Sequence, residues 1–400
     1  MSNPTSHKTQ GRFRKVLEPR ILGVALMTTV LAACATGLSK DRIESSPNYA
    51  DGKFVNTEPF PSPTLGKTLK IFARFISEER VNGVPEQALP IEEMTPAKLA
   101  TRLSDDTAVY RLGHSSLLLE LEREYWLTDP VFSDRASPVQ WMGPKRFHPT
   151  PINIAELPDI KGVIISHDHY DHLDKNTIEE LHHKVAGFYV PLGIGQYLLD
   201  WGVPKEKIHE FDWWQEHQVG PVKLVSTPAN HFSGRGLFDG NSTLWSSWVI
   251  QTEEHNLYFS GDSGYFNGFK TIGEKYGPFD LTLMENGAYD PMWEHVHMTP
   301  EQSLQAHMDL KGKVLLPIHN GTFELAFHQW TDPFEKLGAL AKEAGQVMAT
   351  PIMGERWQLN EEVPTVAWWQ QVDAHEHDTQ LAHTEANAES ESVKEQPSPL

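Results

Sequence analysis

The chain has very little cysteine: Cys34 is the only one among 400 residues, so an intramolecular disulfide is excluded. It is also short of basic residues, with 34 Lys and Arg against 54 Asp and Glu and a formal net charge of −20. Because a nucleic-acid backbone requires a basic protein face, this balance argues against nucleic acid as a partner. Hydrophobic residues make up 39% of the chain, which is enough for a sizeable core in one large domain or two small ones.

The amino terminus has the three parts of a secretory signal. A basic start is followed by the uncharged, mostly apolar run from Ile21 to Leu31, which is too short for a comfortable membrane span. The next residues, ending in Ala33-Cys34, resemble a bacterial lipobox, in which the cysteine becomes the lipidated first residue of the mature chain. We therefore predict a signal peptide over 1–33 and lipidation at Cys34. An ordinary signal peptide, or a short anchor, is the alternative.

A lipidated Cys34 predicts an exported protein that its acyl chains hold in the bacterial cell envelope. The following residue is Ala35 rather than Asp. In lipoproteins of Gram-negative bacteria this favours the outer membrane. The sequence does not indicate an oligomeric state.

The remaining chain divides by composition. Residues 34–58 are polar, without a clear period, and predict a tether. Residues 59–108 predict an amino-terminal extension packed on the main domain. Within it, Leu65 to Ile76 predicts a basic amphipathic helix that either touches lipid or packs on that domain. The main domain is predicted over 109–362, and the acidic, apolar-poor residues 372–400 predict a disordered tail.

Strands alternate with helices through the main domain, which predicts an α/β (α+β) protein with layered sheets and outer helices. Apolar runs bounded by breakers predict strands at 117–121, 126–128, 162–166, 223–226, 248–251, 257–260, 281–284 and 314–317. Helices are predicted at 176–183, 300–308 and 332–344, the second of them with Thr299 as its N-cap.

The strongest chemical signal is His-Asp-His-Tyr-Asp-His at 167–172, directly after the predicted strand 162–166. Imidazole and carboxylate groups suit a borderline cation such as zinc, and strand ends are where ligands converge in layered α/β proteins. The alternative is a capped helix start, with Asp171 or Asp174 bonded to the backbone. Three His and two Asp in six residues are rare in that setting.

Three later residues repeat this pattern, in which a side chain able to bind metal follows a predicted strand. They are His231, Asp262 and His319. Each one alone is more typical of a turn Asp or a satisfied core His. In this order, and together with the cluster at 167–172, they indicate a single metal site.

This order resembles the metallo-β-lactamase superfamily, in which HxHxDH, a later His, a bridging Asp and a final His hold two metals in an αββα sandwich. The resemblance implies two Zn²⁺ or similar divalent ions that activate a water, polarise the scissile centre and stabilise the leaving oxygen. It implies catalytic roles for Asp171 and Asp262. The implied ligands are His167, His169 and His231 for one ion and Asp171, His172 and His319 for the other, with Asp262 as the bridge. Asp129 is similar to an early supporting Asp of the superfamily, with a plain strand-ending Asp as the alternative.

From about Val109 to Trp330 the chain also resembles the N-acyl-phosphatidylethanolamine-hydrolysing phospholipase D family. That family cleaves the phosphodiester on the head-group side and releases an N-acylethanolamine and phosphatidic acid, so the resemblance implies a phospholipid substrate. HxHxDH identifies only the superfamily, whereas the Asp-Trp-Trp and His-x-Gly-Thr-Phe strings are more selective. The strings that carry the resemblance are HDHYDHLD (167–174), VPLG (190–193), DWW (212–214), GDSGY (261–265), GPFDL (277–281), GAYDP (287–291) and HNGTFELA (319–326).

Two further histidines are candidates for the substrate cleft. His297, in His-Met-Thr-Pro-Glu, matches a family position near the substrate phosphate, which implies a substrate-binding group or proton donor. The alternative is a His in the first turn of a helix. His328 is predicted to line the same cleft, with a surface helix His as the alternative.

Two rival functions stay open at the level of sequence. One is another hydrolase on the same scaffold, such as a lactonase, a non-lipid phosphodiesterase or a β-lactam hydrolase. The other is a non-catalytic envelope lipoprotein with structural metals. It is disfavoured because structural zinc sites are usually closed, mononuclear and rich in Cys.

Overall fold

Two seven-stranded sheets carry the main domain, and each combines antiparallel and parallel strand pairs. The computed structural model describes residues 39–60, 64–78, 80–102 and 106–372. The predictions for the signal peptide, for lipidation at Cys34 and for the tail beyond residue 372 lie outside the described residues.

The described strands are β1 Tyr49–Ala50, β2 Lys53–Phe54, β3 Ala108–Gly113, β4 Ser116–Leu121, β5 Glu124–Thr128, β6 Ile160–Ile164, β7 Val185–Pro191, β8 Ile208–Phe211, β9 Glu216–Val219, β10 Val222–Thr227, β11 Ser247–Gln251, β12 Asn256–Phe259, β13 Phe279–Glu285, β14 Gly312–Ile318, β15 Val347–Met348 and β16 Arg356–Gln358. The described helices are α1 Lys40–Ser45, α2 Leu65–Ser77, α3 Pro96–Arg102, α4 Lys175–Leu181, α5 Ile194–Asp200, α6 Gly268–Lys275, α7 Pro300–Asp309 and α8 Asp332–Glu343.

The strand order is β16-β3-β4-β5-β6-β7-β8 in the first sheet and β15-β14-β13-β12-β11-β10-β9 in the second. Strands β5 to β8 are parallel, as are β12 to β15, and the other pairs within the two sheets are antiparallel. In each sheet, the parallel half therefore directs several strand ends toward the same edge.

The side chains of β4 show how the layers pack. Leu117 and Leu119 belong to the core between the two sheets, whereas Leu118 belongs to the core under α4 and α5, with Ile178 and Leu198. A third core lies between the second sheet and α6, α7 and α8. Because both faces of each sheet are covered, the central strands are apolar on both sides. The order helix, sheet, sheet, helix confirms the predicted αββα sandwich of the α/β (α+β) class.

The amino-terminal segment differs from the prediction. Residues 34–58 are predicted to form a tether, but the part described, from Ser39 onward, packs on the main domain. Phe54 is fully buried, and its backbone N–H donates to the carbonyl of Asn241 (2.9 Å). Ile43 and Phe54 pack in one apolar cluster with Trp245. These two anchors are too far apart in sequence to give a periodic pattern, so composition alone conceals them.

Helix α2 forms where the sequence predicts a helix at 65–76. It begins after Thr64, whose side chain caps the first turn. Arg74 donates to Asp290 (3.1 Å) and its guanidinium lies 4.0 Å from the centre of the Phe327 ring, so the helix packs on the main domain. Within the described ranges, none of the helices combines the length and hydropathy needed to cross a bilayer.

Candidate metal centre

Four strands deliver the candidate residues to one place. The segment 167–172 follows β6, His231 follows β10, Asp262 follows β12 and His319 follows β14. The loops approach closely at Gly261, which has φ +55° and where an added Cβ would lie 2.5 Å from the Cβ of Ser166. Glycine is therefore required for Asp262 to reach the cluster.

The structure brings the seven predicted ligands together in two adjoining groups. Within each group the donor atoms lie within 4.8 Å of one another. The groups are His167, His169, His231 and Asp262, and His114, Asp171, His172 and His319. The division matches the two sets that the resemblance implies, with His114 as an addition.

Asp262 lies at the junction of the two groups. Its Oδ2 is 3.1 Å from His319 Nε2 and 3.2 Å from His172 Nε2, which belong to the second group. The same oxygen is 3.8 Å from the Nε2 atoms of His167 and His231 in the first group. One carboxylate thus faces both groups, which is the geometry that a bridging ligand needs.

Three of the imidazoles have their second nitrogen held by an oxygen outside the groups. Nδ1 of His167 is 2.9 Å from Ser166 Oγ, and Nδ1 of His231 is 2.9 Å from the Val296 carbonyl. Nδ1 of His172 is 2.7 Å from Oδ2 of the fully buried Asp129. Oxygen partners of this kind fix the N–H on Nδ1 and leave the Nε2 lone pair for a cation. Asp129 is thus positioned as a support for the site.

The electrostatics of the cluster suits cation ligands. Burial, aided by the neighbouring His172 and His169, lowers the pKa of His167 well below its ordinary value, so the ring is neutral. Burial alone would raise the pKa of Asp262, but His172 and His319 beside it hold the pKa well below its ordinary value. Asp262 is therefore ionised although it is buried.

The buried atoms of the cluster that lack a hydrogen-bond partner among the described residues include Asp262 Oδ1 and His172 Nε2. Buried polar atoms are seldom left in this state unless an ion or a functional role accounts for them. Together with the neutral ring of His167 and the ionised carboxylate of Asp262, these atoms fit divalent metal ions.

Sequence reasoning missed His114. Its Nε2 is 2.9 Å from Asp171 Oδ2, and burial lowers its pKa to about 3, which keeps the ring neutral. His114 directly follows β3, with φ +56°. The signal that identified the other positions, a His just after a strand, is therefore present at Gly113-His114 as well.

His297 lies close to both ligand groups. Its ring centre is 5.3 Å from those of His231 and His319, and it forms a third potential ligand set with Asp262 and His319. Its Nδ1 is 2.9 Å from Oε1 of Glu285, a fully buried residue at the end of β13 that sequence reasoning also missed. The second oxygen of Glu285 accepts from the backbone N–H of Met298 (3.0 Å).

A cleft of about 670 Å³ opens above the cluster. The polar part of its lining includes His169, Asp171, Asp262, His297 and His319. Its apolar part includes Phe60 and, from α2, Ile71 and Phe75, together with Phe232 and Trp293. A polar, metal-capable floor under apolar walls suits an amphipathic substrate.

His328 does not lie where the sequence predicts. Its ring stacks on Tyr289, with 4.4 Å between the ring centres, and its Nδ1 is 2.8 Å from the carbonyl of Gln329. It lines a small separate cavity beside His319 and belongs to no helix. The stacking on Tyr289 holds the ring there, so the structure does not place His328 in the large cleft.

The fold and the gathered His and Asp residues define a metal-dependent hydrolase with a metallo-β-lactamase fold. A family model described as a beta-lactamase superfamily domain matches residues 125–320. By structure, the chain is similar to a possible metal-dependent hydrolase from Veillonella parvula, with a TM-score of 0.50, 14% identity and coverage of 63% of this chain and 99% of that one. At this identity the likeness concerns the fold alone.

Sequence relatives narrow the family. The chain is 44% identical to an uncharacterized protein of Mycobacterium tuberculosis over 335 residues, covering 82% of this chain and 88% of that one. It is 30% identical to N-acyl-phosphatidylethanolamine-hydrolyzing phospholipase D 1 of Caenorhabditis elegans over 357 residues, covering 83% of this chain and 99% of that one. The chain therefore belongs to the metallo-β-lactamase superfamily and, within it, to the family of these phospholipase D enzymes.

Proposed function

We propose that the protein is a binuclear zinc-dependent phosphodiesterase that hydrolyses N-acyl-phosphatidylethanolamine or a related phospholipid on the head-group side. The observation that carries the proposal is Asp262, whose Oδ2 faces imidazoles of both ligand groups at the floor of an apolar cleft. The relative from C. elegans that is named for this activity aligns over nearly its whole length.

The chemistry divides between the ions and the chain. Two adjacent divalent ions supply a nucleophilic water and neutralise charge on the phosphoryl oxygens. His167, His169 and His231 would hold one ion, Asp171, His172 and His319 would hold the other, and Asp262 would be the ligand shared by both groups. The apolar walls bind the acyl chains and exclude bulk water from the reacting phosphate.

His297 has the position of a proton donor to the leaving oxygen. Glu285 accepts the hydrogen of His297 Nδ1, so Nε2 is the ring atom left to exchange a proton with the substrate. Glu285 is a positioning residue in this scheme, because it acts through His297. Its carboxylate also accepts from Met298, and it therefore needs two acceptor oxygens.

Glu285→Gln tests this pair, because an amide cannot accept from His297 and Met298 with both of its terminal atoms. We expect kcat to fall about tenfold to hundredfold, with KM nearly unchanged, since the loss falls on a proton transfer. Bound metal, measured by mass spectrometry, should stay at the wild-type level. Combining the change with His297→Ala should cost little beyond His297→Ala alone.

Glu294, which is exposed, provides the matched control for the Glu285→Gln change. Glu294→Gln should leave kcat unchanged. A Glu285→Gln protein with wild-type kcat would remove the positioning role. So would a loss of activity that only tracks a loss of metal.

A substrate panel tests the proposed function itself. Purified, metal-replete protein should release N-acylethanolamine from micelles of N-acyl-phosphatidylethanolamine. A soluble phosphodiester, a lactone and a β-lactam serve as comparison substrates. Activity confined to one of these three would show that the scaffold supports a different hydrolase.

We also propose that Cys34 is lipidated and that the protein is anchored in the bacterial outer membrane. The proposal rests on the lipobox-like sequence and on Ala35 after it. Cys34→Ser is expected to abolish labelling of the protein by palmitate and to lower the share of the protein found in the outer-membrane fraction. Ala35→Ser, which keeps the cysteine, is the control. Unchanged labelling and fractionation of the Cys34→Ser protein would rule out the anchor.

A further inference from the structure

Two adjacent apolar side chains project into solvent from the loop between β10 and β11. Leu237 is 85% exposed and Phe238 is 92% exposed, the highest values for large hydrophobic side chains in the described part of the chain. A single exposed apolar residue is ordinary, whereas neighbouring exposed ones of this size mark an interaction site.

The loop is held in this shape by polar contacts. The backbone N–H groups of Arg235 and Gly236 donate to the Asp239 carboxylate, at 3.0 and 2.8 Å. The Arg235 side chain donates to the carbonyls of Asp168 and Leu173, at 2.6 and 2.7 Å. These bonds hold the backbone on both sides of Leu237 and Phe238, and in this loop conformation the two side chains project outward.

The base of the loop is part of the active-site cleft. Phe232 lies against His169 and His231, with ring centres 4.6 and 4.8 Å apart, and it lines the cleft together with Gly240 and Asn241. The chain therefore leaves the metal centre at Phe232, turns at Leu237 and Phe238, and returns to the cleft at Gly240.

Helix α2 forms another part of the cleft wall and, like the loop, carries an exposed apolar side chain. Its Lys67 lines the cleft, as does Lys53 of β2. Leu69, on the same helix, is 59% exposed. Basic groups around an apolar opening complement the phosphates of a lipid surface, although the chain as a whole is acidic.

We propose that the loop 232–241 docks the protein on the lipid bilayer, inserting Leu237 and Phe238 among the lipids beside the cleft. The inference rests on the proposed function, because a phospholipid substrate has to reach the metal centre from a membrane. Docking at the loop tip places the cleft opening at the bilayer surface, so that the substrate phosphate moves only a short distance. This contact is separate from any lipid anchor at Cys34.

A fluorescent label tests the insertion directly. Cys34 is the only cysteine, so in the full chain carrying Cys34→Ser the change Phe238→Cys supplies a single thiol for an environment-sensitive dye. On mixing with vesicles of phosphatidylethanolamine and phosphatidylglycerol, emission at position 238 should rise about threefold or more, because the dye enters the apolar layer. Nitroxide-labelled acyl chains should then quench it.

The control label is placed at Val366→Cys in the same background, since Val366 is 59% exposed on the carboxyl-terminal segment. Both proteins carry the same amino terminus, so anchoring there affects both alike. A larger response at 238 than at 366 supports docking by the loop. Equal responses, or no quenching at 238, would overturn it.

Hydrolysis rates provide a second test of docking by the loop. The double change Leu237→Ser and Phe238→Ser should lower the ratio of vesicle hydrolysis to soluble-diester hydrolysis about tenfold or more, because two apolar side chains no longer enter the lipid. An unchanged ratio would contradict the docking role. Failure of the proposed function is recognised separately: the unaltered protein would then release no N-acylethanolamine even from detergent micelles, whereas the label at 238 would still report insertion.

Discussion

Asp262→Asn is expected to abolish nearly all turnover, with kcat lower by on the order of a thousandfold or more. Oδ2 of this residue faces four imidazole nitrogens at 3.1 to 3.8 Å, two from each ligand group. Asparagine keeps the size of the side chain but removes its negative charge and replaces one oxygen by an NH₂ group, which cannot bind a cation. The measurement is steady-state hydrolysis of lipid micelles at saturating zinc.

Asp280 gives a matched control. It lies on β13, where it accepts from the exposed Lys313 (2.6 Å), away from the cluster. Asp280→Asn should keep wild-type turnover, and circular dichroism should show that both variants are folded. Wild-type turnover in a folded Asp262→Asn protein would refute the bridging role.

Removal of metal is expected to have an effect of similar size. Dialysis against a chelator should lower activity about a hundredfold or more, because the imidazole and carboxylate side chains by themselves do not activate a water as nucleophile. About two equivalents of Zn²⁺ per chain should restore it, as expected for two adjoining ligand groups. The melting temperature should fall on chelation and recover with zinc, since a ligand that binds only the folded state stabilises it.

Histidine variants sharpen this test. His231→Ala removes a ligand from one group and should lower the metal content toward one ion per chain. His183 is exposed and lies outside both groups, so His183→Ala should bind as much metal as the wild type. Native protein without bound metal, and without a gain in activity on reconstitution, would contradict the proposed mechanism.

The sequence predicts most of the site because its signals are local. His231, Asp262 and His319 each come just after an apolar strand, so chain order and strand ends suffice to bring them together. Sequence analysis did not identify Glu285 as a site residue, and the reason is physical. Glu285 ends a buried strand, and its hydrogen-bond partner His297 lies 12 residues further along the chain, beyond a loop. Nothing in the local pattern distinguishes it from an ordinary buried carboxylate.

The same distinction applies to the fold: features with a local sequence pattern were predicted, and features set by distant contacts were not. All eight predicted strands are present, because they lie in the middle of the two sheets and are apolar on both faces. The three-residue strand β16 was missed, since it is defined only by pairing with β3 almost 250 residues earlier. His328 was misplaced because its stacking on Tyr289 is a tertiary contact without a sequence signal.

Product analysis in ¹⁸O-labelled water tests the central claim most directly, because hydrolysis at phosphorus leaves the new oxygen on the phosphate. With N-acyl-phosphatidylethanolamine as substrate, mass spectrometry should find one ¹⁸O in phosphatidic acid and none in the N-acylethanolamine. Label in a released fatty acid, or the absence of phosphatidic acid from metal-replete protein, would contradict the proposed phosphodiesterase.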